Sequence, residues 1–432
     1  QTLLLIDGIK MDDAQTGHHT MNAALPLEVI ERIEIVKGPA ARIFGQNAFN
    51  GAINIVTKNK LDTSVSVNAE TGSFGQLNGS ITAASSLENS QHLVHAGKMT
   101  SDGYRTNTDY DNTNFFLKSI FNTKHKPIEM LATFMDRKFG AQNFYTTNPT
   151  FFEYEETQNS LLAFTTKFAS NKLKIQPRVY WKRNQDLFLL RREEPSFYRN
   201  LHITNKIGAE ANASYTSKAG VTGFGIDLSQ VYISSNNLGQ RNRFMATAFV
   251  EHQFKFANDK LDVTPGVALT YFSDFKFHAF PGLDIGYDIS DRLKAYGNIG
   301  YTYRIPTYTD LYYSDPVTQG NSNLEPEEAF AQEVGLKYTS AKLTASIAAF
   351  NRDAKNLIDY VRTDVSEDTF TATNITEVNT KGLEFDAAYN FNINDYKQTL
   401  GFGYSYLDDN ILDQNEDLSR YSLNTLKHQY IT

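Results

Sequence analysis

The 432-residue chain contains no cysteine, which excludes disulfides, thiolate zinc sites, iron–sulfur clusters and thiol nucleophiles together. It also lacks any run of about 20 apolar residues, the length a helix needs to cross the hydrocarbon layer. A transmembrane helix is therefore not expected. Basic residues are outnumbered, 41 against 49 acidic, and form no cluster, so the net charge of −8 makes nucleic acid a poor partner. Serines and nine histidines are present, but no nucleophile elbow or triad context surrounds them, and no enzyme is expected.

What is abundant is aromatic: 30 Phe and 24 Tyr against a single Trp. Soluble β proteins can be as aromatic, but Tyr and Phe are also the residues a membrane barrel sets along its interfacial girdles. From about Ser64 onward the dominant period is two. Val65, Val67 and Ala69 alternate with Ser66, Asn68 and Glu70, and Leu173, Ile175, Val179 and Trp181 alternate with Lys174, Gln176, Arg178 and Lys182. The same pattern returns at Leu383, Phe385, Ala387, Tyr389 and Phe391. Side chains at this spacing point to opposite faces of a strand, one apolar and one polar.

The breaks between these segments alternate in length. Short turns fall at Leu87–Gln91, Asn122–Lys126, Ala169–Lys172, Thr216–Gly220, Ala257–Lys260, Ser290–Arg292, Thr339–Lys342 and Asn392–Lys397. Between them lie the longer connections Ser101–Asn112, Phe139–Thr157, Gln185–Tyr198, Ile305–Glu328 and Asp408–Leu423. An antiparallel barrel crossing a membrane has this asymmetry, with tight turns on one side and long loops on the other. The strands are long, and about 17 are complete by Asp408, with another beginning at Lys427–Thr432; closure of such a barrel takes an even number. The chain is therefore expected to be a fragment.

Residues 1–60 follow another pattern. Leu3–Ile9 is a strand run with a turn at Asp7–Gly8, Pro26 suits the first turn of a short helical piece reaching Arg32, Ile33, Ile35 and Val36 form a strand, Ala40–Phe44 a helical turn, and Ala52–Thr57 a further strand. This mixed α/β piece is too short for a core of its own. The expected division is 1–60 and 61–432.

The stretch from Leu27 to Lys58 resembles the signature of the plug domain of TonB-dependent outer-membrane receptors. Ile30-Glu31-Arg32-Ile33-Glu34-Ile35, Lys37-Gly38-Pro39, Phe44-Gly45 and Asn50-Gly51-Ala52-Ile53-Asn54-Ile55-Val56-Thr57-Lys58 match its successive elements, with Lys where the family usually has Arg and Phe where it has Tyr. Leu5-Ile6-Asp7-Gly8-Ile9 resembles the preceding strand. Tyr303-Arg304-Ile305-Pro306, Asp310-Leu311-Tyr312, Asn323-Leu324-Glu325-Pro326-Glu327, Glu333-Val334-Gly335 and Lys381-Gly382-Leu383-Glu384 are similar to the family's barrel motifs.

The resemblance implies an all-β transmembrane barrel of about 22 strands around a partial mixed α/β plug, in a Gram-negative outer membrane. Against that total the fragment would lack the plug N-terminus and the last barrel strands. The implied function is energy-coupled import of a scarce, bulky nutrient. A TonB-type energy-transducing protein would act through a missing N-terminal box, with outer-membrane lipid and a surface lipoprotein as further expected partners. The spelling Gly45-Gln46-Asn47-Ala48-Phe49-Asn50-Gly51 looks closest to the cobalamin-receptor-like branch, which makes a corrinoid the first expectation, a ferric siderophore the alternative and haem the third. A passive porin or adhesin shares the barrel pattern but has no need of the plug segment.

Three groups of residues stand out. Glu31, Arg32, Glu34, Lys37 and Arg42 concentrate charge in a dozen residues; on a soluble protein this is a solvated face, whereas the resemblance implies a plug–wall network. His18, His19 and Asn22 lie in the polar excursion Lys10–Leu25, and Tyr308, Tyr312 and Tyr313 cluster after Pro306; these are the expected cargo contacts, with exposed loop residues and girdle tyrosines as the plainer readings. Adjacent histidines diverge in an extended segment, so a metal site from His18 and His19 alone is not expected. Asp102, Asp109 and Asp111 share one long loop, where calcium is conceivable but a solvated polar loop is the better reading. No metal or other cofactor is assigned.

Overall fold

The computed structural model describes residues 2–432 except 18–24, 38–44, 46–47, 49–50, 60, 123–125, 147, 363, 365, 367, 412–417 and 420–425. Two sheets make up the fold. The smaller has four strands, β1 (Leu3–Ile6), β2 (Ile9–Lys10), β3 (Ile30–Lys37) and β4 (Gly51–Thr57), in the order β2-β1-β4-β3. β1 is parallel to β4 and β3 antiparallel to it. Among the described residues, the buried cluster within this unit consists of Leu3, Leu5, Ala48 and Ala52. The rest of its apolar surface is buried against the larger sheet: Ile6, Ile9, Met11 and Val29 pack with Leu93, Phe116, Leu131, Leu161 and Tyr180. The small unit is stable only inside its host.

The helical piece expected from Pro26 to Arg32 is shorter. Leu27–Val29 is a single 3-10 turn and Ile30 already begins β3, because its β-branched residues pair along β4 and tertiary pairing outweighs the local proline signal. The helical turn expected at Ala40–Phe44 lies outside the described residues. The turn at Asp7–Gly8 takes positive φ at both positions, 48° and 83°. Asp7 is held there by its own carboxylate, which accepts from the Thr57 N–H (2.8 Å) and hydroxyl (2.5 Å).

The larger sheet is a closed barrel. Its wall strands are antiparallel from Ser64–Thr71 through to His428–Ile431, the short Thr318–Gln319 alone pairing in parallel among the described residues, and the longest, Phe370–Ile393, has 24 residues. The sequence reading left this wall unfinished. Instead His428–Ile431 pairs with Tyr396–Ile411 and precedes Ser64–Thr71 in the strand order. The period of two is carried into burial. Leu173–Leu189 turns Arg178, Tyr180, Lys182, Asn184 and Asp186 inward and buried, while Val179 between them is exposed. Ile207, Ile226, Leu269, Ile285, Val334 and Ile347 are exposed on the outer face, the apolar belt a barrel presents to hydrocarbon.

One end of the barrel carries only short turns, such as 218–219, 291–292 and 394–395; the other carries 102–109, 141–153, 190–198 and 305–326. Besides the five-residue turn 72–76, two connections at the long-loop end are nevertheless tight, 236–238 and 273–275. The latter two lie beside one another. They border the place where 305–326 folds inward. Asn237 exchanges hydrogen bonds with the Ser314 backbone (2.8 and 3.1 Å), and Phe275 packs on the cluster formed by Ile305, Tyr308 and Leu311.

Candidate functional site

Between plug and wall runs a seam of charged and polar pairs. The plug supplies the turn Asp7–Gly8 and the segment Lys10–Gln15, and the wall supplies inward residues from strands Tyr110–Phe121, Leu173–Leu189, Arg199–Ser217 and Gly220–Ser235. The Lys118 ammonium is almost sealed from solvent and donates to Thr57 Oγ1 (2.8 Å), Asn59 Oδ1 (2.8 Å) and Asp7 Oδ2 (3.2 Å). Arg178 donates to the Asp7 carbonyl at 2.7 Å while paired with Glu210 at 2.6 Å. Lys10 meets Asp227 at 2.8 Å and Asp12 meets Lys206 at 2.7 Å. Lys182 donates to the carbonyls of Met11 and Asp12, Thr204 to Asp13 Oδ2 (2.8 Å), and Gln15 to Asp186 Oδ2 (3.1 Å).

Asp12 and Lys10 are held in their charged forms against the pull of burial. Burial works against the Asp12 carboxylate, but Lys206 and Lys182 beside it outweigh that and hold it below its usual range. Burial likewise opposes the Lys10 ammonium, and Asp227 outweighs it, raising the lysine. Because every contact but Arg178–Glu210 joins a plug residue to a wall residue, the seam is a set of tethers between two bodies.

Above the seam, at the long-loop end, lies an arc of aromatic rings. Tyr145 lies edge-on to Phe188, with centroids 4.7 Å apart, and Phe188 is 6.4 Å from Tyr198. The hydroxyls of Tyr198 and Tyr313 are 2.8 Å apart, and Asn200 donates to both. Tyr313 follows a short helix, α1 (Tyr308–Tyr312), whose Tyr308 and Tyr312 rings lie 6.1 Å apart. Arginines face the rings: Arg191 is 3.7 Å from Phe197, Arg192 4.5 Å from Tyr154, Arg241 3.9 Å from Tyr312 and Arg243 5.0 Å from Tyr308. Arg192 and Arg243 are also paired, with Asp109 and Asp274, both at 2.7 Å. Arg241 has no carboxylate partner among the described residues; its Nε donates to the Leu238 carbonyl. Burial pushes the Tyr308 hydroxyl up to about 12 against the opposing pull of Arg243, and raises Tyr313 further.

The structure brings together part of what the sequence singled out. Tyr312 and Tyr313 are half-buried on the arc, whereas Tyr308 is fully buried and packs α1 onto the wall. Arg32 pairs with Glu34 at 2.6 Å and Glu31 at 3.1 Å on its own strand, all three well exposed, and Glu34 also accepts from Asn54. His18, His19, Asn22 and Arg42 lie outside the described residues, as does the Lys37 side chain. Asp109 and Asp111 are each engaged by a cation, Arg192 and Lys98. The seam residues Lys118, Lys206, Glu210 and Asp227 and the arc residues Phe188 and Tyr198 were not singled out. For all but Tyr198, which lies in the 190–198 loop, the available signal was an inward position at alternate places along a strand.

Known proteins show the same two parts. A family model described as TonB dependent receptor-like, beta-barrel, matches residues 43–431, and one described as TonB-dependent Receptor Plug Domain matches residues 1–52. These matches correct the expectation that the plug N-terminus and the last barrel strands are lacking: both family parts are represented in the chain. The expectation set a count of strands against a family total of about 22, and turn spacing alone does not say how many strands a wall needs in order to close. Among curated relatives, the vitamin B12 transporter BtuB of Photobacterium profundum is 23% identical over 464 residues, covering 99% of this chain and 72% of the relative. The BtuB of Vibrio vulnificus (strain YJ016) is 23% identical over 90% of this chain, which spans 64% of that relative's length. Among solved structures, the siderophore receptor PirA from Pseudomonas aeruginosa superimposes with a TM-score of 0.77 at 17% identity, covering 95% of this chain and 77% of that one.

Proposed function

Since this chain belongs to the TonB-dependent receptors of the outer membrane, we propose that it imports a bulky, anionic metal chelate of the ferric-siderophore class. In this reading the long loops face the medium, and an energy-transducing TonB-type partner pulls the plug to open the lumen. The observation that carries the cargo class is the arc, where Arg241 lies over the half-buried Tyr312 ring with no carboxylate partner among the described residues, in a chain whose net charge is −8; Arg191 and Arg192, over Phe197 and Tyr154 beside it, are paired with Glu194 and Asp109. A chelate bearing catecholate or phenolate groups presents negative charge and flat rings together. Guanidinium planes answer both, and Tyr and Phe supply apolar area at low entropy cost. The name siderophore receptor carried by PirA supports the same class.

A corrinoid is the second reading, favoured by the vitamin B12 transporter name of the curated relatives. Its rim of neutral amides would draw little from the arginines. The deciding measurement is titration of the intact receptor in detergent with a ferric tris-catecholate, a ferric hydroxamate, cyanocobalamin and haem, repeated with His18 and His19 changed to alanine. Tight tris-catecholate binding is expected. Binding of cyanocobalamin alone would replace the first reading with the second, and unchanged affinity in the double variant would remove the two histidines from the site.

A further inference from the structure

The first turn of α1 is completed by the plug. The opening N–H groups of a helix have no acceptor within it. In α1 the Tyr308 N–H donates to the Ala14 carbonyl at 2.7 Å and the Thr309 N–H to the Gln15 carbonyl at 3.0 Å. The next, Asp310 N–H, goes to the Thr307 hydroxyl (3.2 Å), and the Asp310 carboxylate returns to the Thr307 N–H (2.9 Å), which closes a capping box. Two of the three donors are thus satisfied by residues of another body. A five-residue helix has almost no stability of its own, so what it rests on decides where it sits.

That rest is itself fixed to the seam. The Gln15 N–H donates to Asp13 Oδ1 (2.9 Å), its side chain reaches Asp186, and Asp13 accepts from Thr204. On the other side α1 is bound to its own loop: Asn321 N–H donates to the Asp310 carbonyl (2.9 Å) and Gly320 N–H to the Tyr313 carbonyl (2.7 Å). Tyr312 and Tyr313 stand at the end of this single turn, under Arg241 and against Tyr198.

We infer that Ala14 and Gln15 are positioning residues of the cargo site, whose backbone carbonyls hold α1 and with it Tyr312 and Tyr313, so that the site is assembled only while the plug is in place. The inference rests on the arc being where cargo binds. Withdrawing the plug removes two acceptors from α1, lowers the affinity of the arc and frees the cargo as the lumen opens. Linkage makes the effect reciprocal: cargo that orders α1 also holds the plug apex.

Tyr308→Ala and Tyr308→Pro test this as a pair. Both lose the same aromatic ring; proline refills a little of its space and alone loses the N–H that reaches Ala14. Proline is well suited to the first helical position, and Thr307 before it is extended (φ −75°, ψ 165°), as a residue preceding proline must be. Hydrogen exchange of the Met11–Thr16 amides, read on the intact receptor without cargo, should be about 3- to 10-fold faster in the proline variant than in the alanine variant, the loss of one hydrogen bond. A ferric tris-catecholate should slow that exchange in wild type and bind several-fold more weakly to the proline variant than to the alanine variant. Equal exchange in the two variants overturns the inference. In wild type alone, a bound tris-catecholate that leaves Met11–Thr16 exchange unaltered overturns it as well, even if neither variant folds. Failure of the cargo reading looks different: wild type binds no tris-catecholate, and the comparison of the two variants without cargo still decides the inference.

Discussion

Asp12 of the plug and Lys206 of the wall stand 2.7 Å apart, from positions 194 residues distant in the chain, and both are nearly closed off from solvent. A pair in such surroundings is worth little compared with two apolar residues, but either member left alone is an uncompensated buried charge costing about 3–5 kcal/mol.

Asp12→Asn and Lys206→Met are each expected to loosen the plug by roughly that amount, and the double substitution to recover a large part of it. Passage of a bulky antibiotic through cells carrying the intact receptor, together with exchange of the plug amides, reads the loosening. Single variants as tight as wild type would show that the pair holds nothing.

The same seam sets a pH window. The Asp12 carboxyl is lowered from 3.8, so its contribution is present above that value and is lost as pH falls through the lower folded-state pKa. The Lys10 ammonium is raised from 10.5, so its contribution is present below that value and is lost as pH rises through the higher folded-state pKa. Plug protection should therefore fall below the first limit and above the second. Lys10→Met, which retains a chain of similar length, should shrink the alkaline limb, the remainder belonging to the neighbouring Lys206–Asp12 pair, and leave the acid one. Limited proteolysis across pH measures both; an alkaline limb of unchanged size in Lys10→Met would assign it elsewhere.

Arg241 offers its guanidinium to Tyr312 without a carboxylate to neutralise it among the described residues. Arg241→Gln should weaken a ferric tris-catecholate about 3- to 30-fold, the range of an exposed to partly desolvated cation–aromatic contact with a charged ligand, while leaving cyanocobalamin unaffected. Equal losses for the two ligands would mean that the residue shapes the basin and does not read charge.

Gly320 approaches α1 so closely that a Cβ there would lie 2.7 Å from the Tyr312 nitrogen and 2.8 Å from that of Tyr313. Backbone cannot yield as a flexible side chain would. Gly320→Ala should displace the end of α1 and reduce cargo affinity by about tenfold, a cost of order 1–3 kcal/mol as for other overpacked sites, with the barrel's thermal transition unchanged. Unimpaired binding would show that α1 can shift without disturbing the arc.

Much of the barrel was legible because a period of two and a rhythm of turns are local properties. The eight short turns lie at one end as read. The tight connections 236–238 and 273–275 were missed because the long 305–326 loop covers them, a relation between segments far apart in sequence. The plug strands were legible through Ile30–Lys58. The seam was not. Arg178 and Lys182 look like any polar face until the fold sets Asp7 and Asp12 opposite them, and the Lys10–Asp227 contact spans 217 residues. Phe188, at the end of a strand, and Tyr198, in the loop after it, meet Tyr313 only because the 305–326 loop folds back onto them.

The ionic tethers named here all reach wall strands between Tyr110 and Ser235, and the cluster around Ile6, Ile9 and Met11 rests on those strands and on Leu93 of the strand just before them. Mechanically the plug is a door hung from one jamb. Among the described residues, the far jamb, from Leu261 to Ile411, is joined to the plug's Ala14 and Gln15 only by the two backbone bonds to α1 and the packing around them. A pull on the plug is expected to break this latch before the hinge, turning the plug about the strands between Tyr110 and Ser235 and parting it from the far wall first.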